Sequence, residues 1–260
     1  MILKTQEEIE KYKKISELST GIIKKMSEKL KVGIYPAEIE EYCWELCREA
    51  KVEPAFYGVV QSGNPPFPSS CNINVNDEIL HAIPSSTRKL EHGDVVKIDF
   101  GIAKDGLYTD HCYTFVIGKM SEEDRSLVMN AKLATETAMK KAIVGNTTRD
   151  LGETMETIAE MAGFEVLKNY VGHGIGKTLW EEPSVPAYGL YDGGDELEEG
   201  MVLCIECQLV KGTDRTYIES DGWTIKTSNG NKGAMFEYMV VVGKNKPIVL
   251  TPMQDWKIVV

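Results

Sequence analysis

The sequence holds no apolar run long enough to cross a membrane. Its opening stretch, MILKTQEEIEKYKK, has no apolar segment of signal-peptide length. These two absences predict a cytoplasmic protein. Positive charge is also scarce: 29 Lys and Arg against 40 Asp and Glu leave a net charge of −11. That balance argues against nucleic acid and anionic membrane as partners. The six cysteines (Cys43, Cys47, Cys71, Cys112, Cys204, Cys207), without a signal peptide, read as reduced thiols. Cys204 and Cys207 have CxxC spacing, but no second CxxC or glycine knuckle accompanies them, and they lie inside the apolar run MVLCIECQLV. Packed small side chains are expected there, not a zinc or redox motif. No Pro/Gly/Ser-rich linker or block of like charge divides the 260 residues, so a single domain, 1–260, is predicted.

What is present occurs twice. Thr5-Gln-Glu-Glu8 is a capping box, after which Ile9, Tyr12, Ile15, Leu18, Ile22, Met26 and Leu30 keep helical spacing until Gly33. Pro36 opens a second helix with Ile39, Cys43 and Leu46 on one face. Residues 121–162 repeat the arrangement. Ser121 opens a helix predicted to reach Val144, Gly145 breaks it, and Leu151, Met155, Ile158 and Ala162 line another that Gly163 caps. The strand segments repeat too. EHGDVVKIDF (91–100) aligns without gaps on EEGMVLCIEC (198–207), so Gly93 meets Gly200, Ile98 meets Ile205 and Asp99 meets Glu206. The expected fold is mixed α/β (α+β). Two pseudo-symmetric halves, about 1–118 and 119–260, would form a mainly antiparallel sheet with helices on its outer side.

A carboxylate at the same point of each apolar strand is informative, because burying one is costly unless it is paired or bound to metal. Residues 95–115 read as a hairpin turning at Asp105-Gly106. Lys104 then pairs with Leu107, Gly101 faces Asp110, and Asp99 becomes a diagonal neighbour of Asp110, within reach of one shared ion. By alternation His111 points to the opposite face. A third strand, GAMFEYMVVV (233–242), carries Glu237, and His173 sits among glycines in VGHGIGKTLWEEP (171–183). Taken singly, each of these residues reads as an ion pair, a strand end or a satisfied core group. Together, four carboxylates cannot share an interior without cations. Two divalent ions would balance them, and oxygen donors with one imidazole suit Mn, Fe, Co or Zn. Two such ions about 3.5–4 Å apart form a hydrolytic centre, acidifying a bridging water and polarising a carbonyl or phosphoryl oxygen.

Asp99, Asp110, His173 in HGIG, Glu206 and Glu237 resemble the metal ligands of the pita-bread metallopeptidases. That family includes methionine aminopeptidases, Xaa-Pro aminopeptidases and prolidases. The similarity extends to FPSSCNINVNDEILHAIP (67–84), HGIG…EEP and DGWTIKT (221–227), and is strongest to the type I methionine aminopeptidases. The resemblance implies a curved sheet and an aminopeptidase acting on the N-termini of peptides or nascent proteins, with a monomer favoured. It implies that Asp99 chelates one ion, Asp110 and Glu237 bridge both, and His173 and Glu206 complete the other shell. Glu206 would also shuttle a proton for the nucleophilic water. His81 would lie near the scissile amide nitrogen, and Phe67 and Trp223 would line the pocket for the first side chain.

The substrate positions depart from the family pattern. Trp180 stands where a second histidine, seven positions after the first, contacts the substrate carbonyl. An indole donates one hydrogen bond but cannot take up a proton as imidazole does. Leu179 replaces a usual aromatic residue of the pocket, and Asn72, in Asn72-Ile-Asn74-Val-Asn76, makes the pocket floor more polar. QSGNPP (61–66) reads as an added loop stretch near the pocket. Two alternatives therefore stand beside a methionyl aminopeptidase. One is a metallohydrolase of the same fold acting on Xaa-Pro peptides or small amides; the other is a metal-binding protein with little turnover.

Overall fold

Thr5 and Glu8 start the first helix as a reciprocal cap. The Thr5 hydroxyl accepts the Glu8 N–H at 3.2 Å and the Glu8 carboxylate accepts the Thr5 N–H at 3.0 Å. In the computed structural model, which describes residues 1–61 and 63–260, this helix is α1 (Gln6–Ser27). Ser62 of the QSGNPP stretch lies outside the described residues. The predicted run to Leu30 is shorter because the N–H groups of Lys29 and Leu30 turn back to the carbonyls of Met26 and Ser27, tightening the chain before Gly33. Pro36 is the first residue of α2 (Pro36–Ala50). Ser121 caps α3 (Glu122–Met139), which stops short of Val144 because the Val144 N–H is drawn to the carbonyl of Gly243. Thr147 caps α4 (Thr148–Met161). Among the described residues no helix is long and apolar enough to cross a membrane.

The central sheet contains β1 (Asn72–Val75), β2 (Val95–Phe100), β3 (His111–Val116), β4 (Glu165–Val166), β5 (Gly172–Gly174), β6 (Glu181–Val185), β7 (Val202–Val210), β8 (Gly233–Val241) and β9 (Ile248–Val249). Its order is β6-β5-β7-β8-β3-β2-β1, with β4 on β7 and β9 on β8, and every pairing is antiparallel. The helices pack against it: α1 on β2, α3 on β7 and β8, and α4 beneath α3 and β6. This is the mixed α/β architecture that the sequence predicts. Glycines aligned by the repeat share a left-handed backbone: Gly33 and Gly145 have φ of +88° and +94°, and Gly93 and Gly200 of +86° and +87°.

The hairpin register decides the site. Asp105 and Gly106 both have positive φ, +52° and +76°, as a two-residue turn of matching twist requires. Lys104 pairs with Leu107 as predicted, and the same register places Asp99 opposite Cys112. No slip intervenes, so Asp99 and Asp110 share a face. Two small sheets flank the main one. One joins Glu53–Pro54 to this hairpin; the other joins Thr216–Ile218 and Ile225–Thr227 to Glu78–Leu80 and brings His81 and Trp223 over the carboxylates.

Candidate metal centre

Four adjacent strands carry the acidic residues across one face. Glu206 on β7 is paired with Glu237 on β8, Glu237 with Cys112 on β3, and Cys112 with Asp99 on β2. Asp110 immediately precedes β3, and His173 on β5 is paired with Cys204 on β7. Two groups of donors result. The carboxylates of Asp99, Asp110 and Glu237 offer oxygens within 4.8 Å of one another, and His173, Cys204 and Glu237 do the same with a nitrogen, a sulfur and an oxygen. Asp110 Oδ2 lies 3.7 Å from His173 Nε2. Glu206 faces the same cavity, but its carboxylate accepts a hydrogen bond from the Gln208 amide and belongs to neither group. His111 turns away, as alternation predicts: its Nδ1 is 2.8 Å from the Thr251 hydroxyl.

The electrostatics fit a bound cation. Asp99, Asp110, Glu206 and Glu237 are all buried. Burial pushes Asp99 up to about 7, and burial with the charge of Asp99 pushes Glu206 up to about 8. Asp110 and Glu237 stand well above the usual carboxylate range, first through burial, then through Asp99 and Glu206 for Asp110 and through Asp110, Glu206 and Asp99 for Glu237. One oxygen each of Asp99, Asp110 and Glu237 is buried with no hydrogen-bond partner among the described residues. Buried carboxylate oxygens without donors are what cation ligands look like when only protein atoms are counted. The residues present therefore fit divalent metal.

His173 is suited to act as a nitrogen donor. Its Nδ1–H donates to the Gly174 carbonyl at 2.8 Å, which leaves the Nε2 lone pair free. Burial lowers its pKa to about 4, so the ring is neutral at pH 7, the form that binds metal. The flanking glycines explain GHG. A Cβ on Gly172 would overlap the carbonyl of Cys204, and one on Gly174 would overlap that of Glu182. Only glycine lets β5 lie this close between β6 and β7.

The carboxylates floor a cavity of about 500 Å³. Phe67, Asn72, His81, Trp180 and Trp223, all expected at the substrate pocket, line it. Phe67 meets Trp223 edge-on with centroids 5.2 Å apart, and the Trp223 indole N–H donates to the Pro65 carbonyl at 3.0 Å. His81 has a left-handed φ of +54° and touches Trp223 and Tyr170 edge-on at 6.4 Å. Such strain in a non-glycine residue persists where the surroundings over-determine it. Burial lowers the His81 pKa to about 4. Asn72 Nδ2 donates to Asp99 Oδ2 at 3.1 Å, so the residue that makes the floor polar also holds a candidate ligand. Trp180 sits at the rim, 46% exposed. Leu179 corrects an expectation: it is 6% exposed, packs in the hydrophobic core and is not among the lining residues. The two residues lie in the bend before β6, where the chain turns Trp180 to the cavity and Leu179 to the core.

The family model of metallopeptidase family M24 matches residues 10–244. The chain belongs to that family. It is 35% identical to the methionine aminopeptidase of Aquifex aeolicus over 96% of this chain and 98% of that one. The crystal structure of the methionine aminopeptidase of Thermotoga maritima superposes with a TM-score of 0.89 at 32% identity, covering 96% of this chain and 99% of that one. The prolidase from Pyrococcus furiosus has a TM-score of 0.76 at 25% identity, covering 96% of this chain and 65% of that one. The pita-bread fold is thus shared, and this M24 member is a metalloaminopeptidase using divalent metal.

Several site residues escape the sequence reading. Gln208 braces Glu206, and Tyr170 and Asn169 line the cavity ahead of the glycine loop. Gln208 was detectable, since it lies two residues past Glu206 on the same strand face. Tyr170 and Asn169 lie in a loop, where no periodicity marks direction. Cys204 carried the same strand-parity signal as Gln208.

Proposed function

We propose that this chain removes the N-terminal methionyl residue from peptides and nascent proteins, as a cytoplasmic monomer, with two divalent ions (Mn, Fe, Co or Zn) at Asp99, Asp110, His173, Glu206 and Glu237. The observation that carries the reading is the convergence of partnerless carboxylate oxygens from Asp99, Asp110 and Glu237 beside a neutral His173. When bound, the ions supply an acidified water and polarise the substrate carbonyl. Everything else falls to the chain. Phe67 and Trp223 take the first side chain between aromatic walls, over the polar floor made by Asn72. His81, neutral at pH 7, offers a ring nitrogen to the scissile amide. Glu206, held by Gln208 and ionised beside the cations, accepts the proton of the attacking water and passes it to the leaving amine. We also treat residues 1–260 as one catalytic unit of two halves, 1–118 and 119–260, each giving one strand carboxylate, Asp99 or Glu206. The matched backbone of the paired glycines supports that reading.

Trp180 at the rim supports a second specificity, for Xaa-Pro peptides or small amides, because no imidazole is offered to the substrate carbonyl at that position. A single experiment ranks the readings. The metal-stripped protein, reloaded with Mn²⁺ or Co²⁺, is assayed on peptides beginning Met-Ala and Ala-Pro. Methionine release from the first is expected. Turnover of the Ala-Pro peptide alone would overturn the methionyl reading in favour of the second specificity.

A further inference from the structure

The six cysteines do not share one environment. Cys207 lies three residues from Cys204 on β7, so strand alternation sends the two side chains to opposite faces. Cys204 shares its face with Glu206, two residues on, and is paired directly with His173 on β5. On the other side it is paired with Met239, two residues from Glu237, so Glu237 is its diagonal neighbour. The outcome is the group already described: the Cys204 sulfur, a His173 ring nitrogen and a Glu237 oxygen, all within 4.8 Å. Ligands about 2.0–2.3 Å from one ion lie up to about 4.5 Å apart, so sub-ångström movement seats all three on a single ion. Glu237 also belongs to the Asp99 and Asp110 group and brings a buried oxygen with no other partner.

We propose that Cys204 is an additional ligand of the centre, binding through its thiolate the ion held by His173 and Glu237. The two ions then occupy chemically different sites. Asp99, Asp110 and Glu237 form an all-oxygen site that suits hard ions such as Mn²⁺. His173, Cys204 and Glu237 form a nitrogen, sulfur and oxygen site that favours Zn²⁺ or Co²⁺. On ligation the thiol proton leaves to solvent, and a metal–sulfur bond replaces a metal–water bond; no electrons are transferred. Glu206, braced by Gln208, remains a ligand of the centre and its proton acceptor.

The assignment rests on the proposal that the centre binds divalent ions, and the test separates the two. The metal-stripped full chain is titrated with Co²⁺, with bound cobalt measured by dialysis and near-ultraviolet absorption recorded in parallel. A sulfur-to-cobalt charge-transfer band should grow with one of the two equivalents bound. Cys204→Ser should bind cobalt without the band, and its Zn²⁺ affinity should fall by about tenfold or more, the scale of losing even an outer partner of a ligand. Cys112→Ser and Cys207→Ser should keep the band. Cys204→Thr, closer in shape, serves if the serine variant fails to fold. Cobalt bound by the wild type without the band, or a band that survives Cys204→Ser, overturns the thiolate assignment and leaves the metal reading standing. No cobalt bound overturns both.

Discussion

Removing metal from this protein should make its stability fall as pH rises. Asp99 and Glu206 have ordinary values of 3.8 and 4.5, and in the folded, metal-free chain they are pushed up to about 7 and about 8. The folded state therefore holds protons that the unfolded chain has released. Below about pH 3 both states are almost fully protonated and little is lost. Between the ordinary and raised values each group costs up to about 1.4 kcal/mol per pH unit, because the unfolded state binds fewer protons. The full cost is reached above the raised values. A shift of about three units amounts to about 4 kcal/mol per group. Both groups are fully buried, so solvent screening removes little of it. Asp110 and Glu237 shift in the same direction. The sum is comparable with the whole stability of an ordinary domain, about 5–15 kcal/mol. Bound divalent ions neutralise these charges and should abolish the slope.

From about pH 6 to about pH 8.5, Asp99 and Glu206 alone should cost the metal-free chain about 4 kcal/mol. At about 2–4 °C per kcal/mol this lowers Tm by roughly 10 °C. Circular-dichroism melts with chelator and with Mn²⁺, at both pH values, measure it directly. Asp99→Asn is the decisive control. It should raise the metal-free Tm at the higher pH while reducing the gain from added metal. A metal-free Tm that stays flat or rises over this range would refute the argument that these carboxylates are an electrostatic load awaiting cations.

Four further outcomes are expected. Trp180→His should raise kcat on methionyl peptides by about tenfold or more, since one lost contact to a developing oxyanion costs about 10²–10³; an unchanged rate means that the rim is built for another substrate. Asn72→Ala, which removes the 3.1 Å hydrogen bond to Asp99, should weaken metal binding by about 10–100-fold in a chelator competition. Gly174→Ala should destabilise the fold by about 1–3 kcal/mol and lower bound metal per chain, because its Cβ overlaps the Glu182 carbonyl and displaces His173. His81→Ala should lower kcat by about 10²–10⁴, and because the ring titrates near 4 it should leave any limb of the wild-type rate profile near pH 7 in place.

The helices and the hairpin were legible because local chemistry fixes them. The Thr5 and Thr147 caps, Pro36 and the Asp105-Gly106 turn each act within a few residues. Helix ends were less so. α1 and α3 stop early because backbone groups find partners that periodicity does not reveal, such as Gly243 for Val144. Beyond that hairpin, strand order was not legible: β5 enters between β6 and β7 only because three segments that no short turn links meet.

The same distinction divides the site. Asp99, Asp110, Glu206 and Glu237 could be found from sequence because strands impose a two-residue alternation and an uninterrupted register carries it across neighbours. Cys204 obeyed that rule as well. Judged as half of a CxxC motif it looked like filler, since motif logic asks what stands nearby in sequence. Counted by parity from Glu206 it belongs to the face of the ligands, opposite His173. Loop residues follow no such rule. Leu179 and Trp180 are adjacent, yet one is core and the other rim, and periodicity does not assign them. The candidate ligands are therefore constrained by the sheet itself, where a one-residue slip of a strand would turn its carboxylate away. The part of the substrate wall that loops carry, Trp180 included, can change residue by residue without moving a strand-borne carboxylate. A chain that keeps its aspartates, glutamates and His173 while carrying Trp180 at the rim is the outcome such an architecture permits; Asn72, on a strand and bonded to Asp99, is tied to the ligands instead.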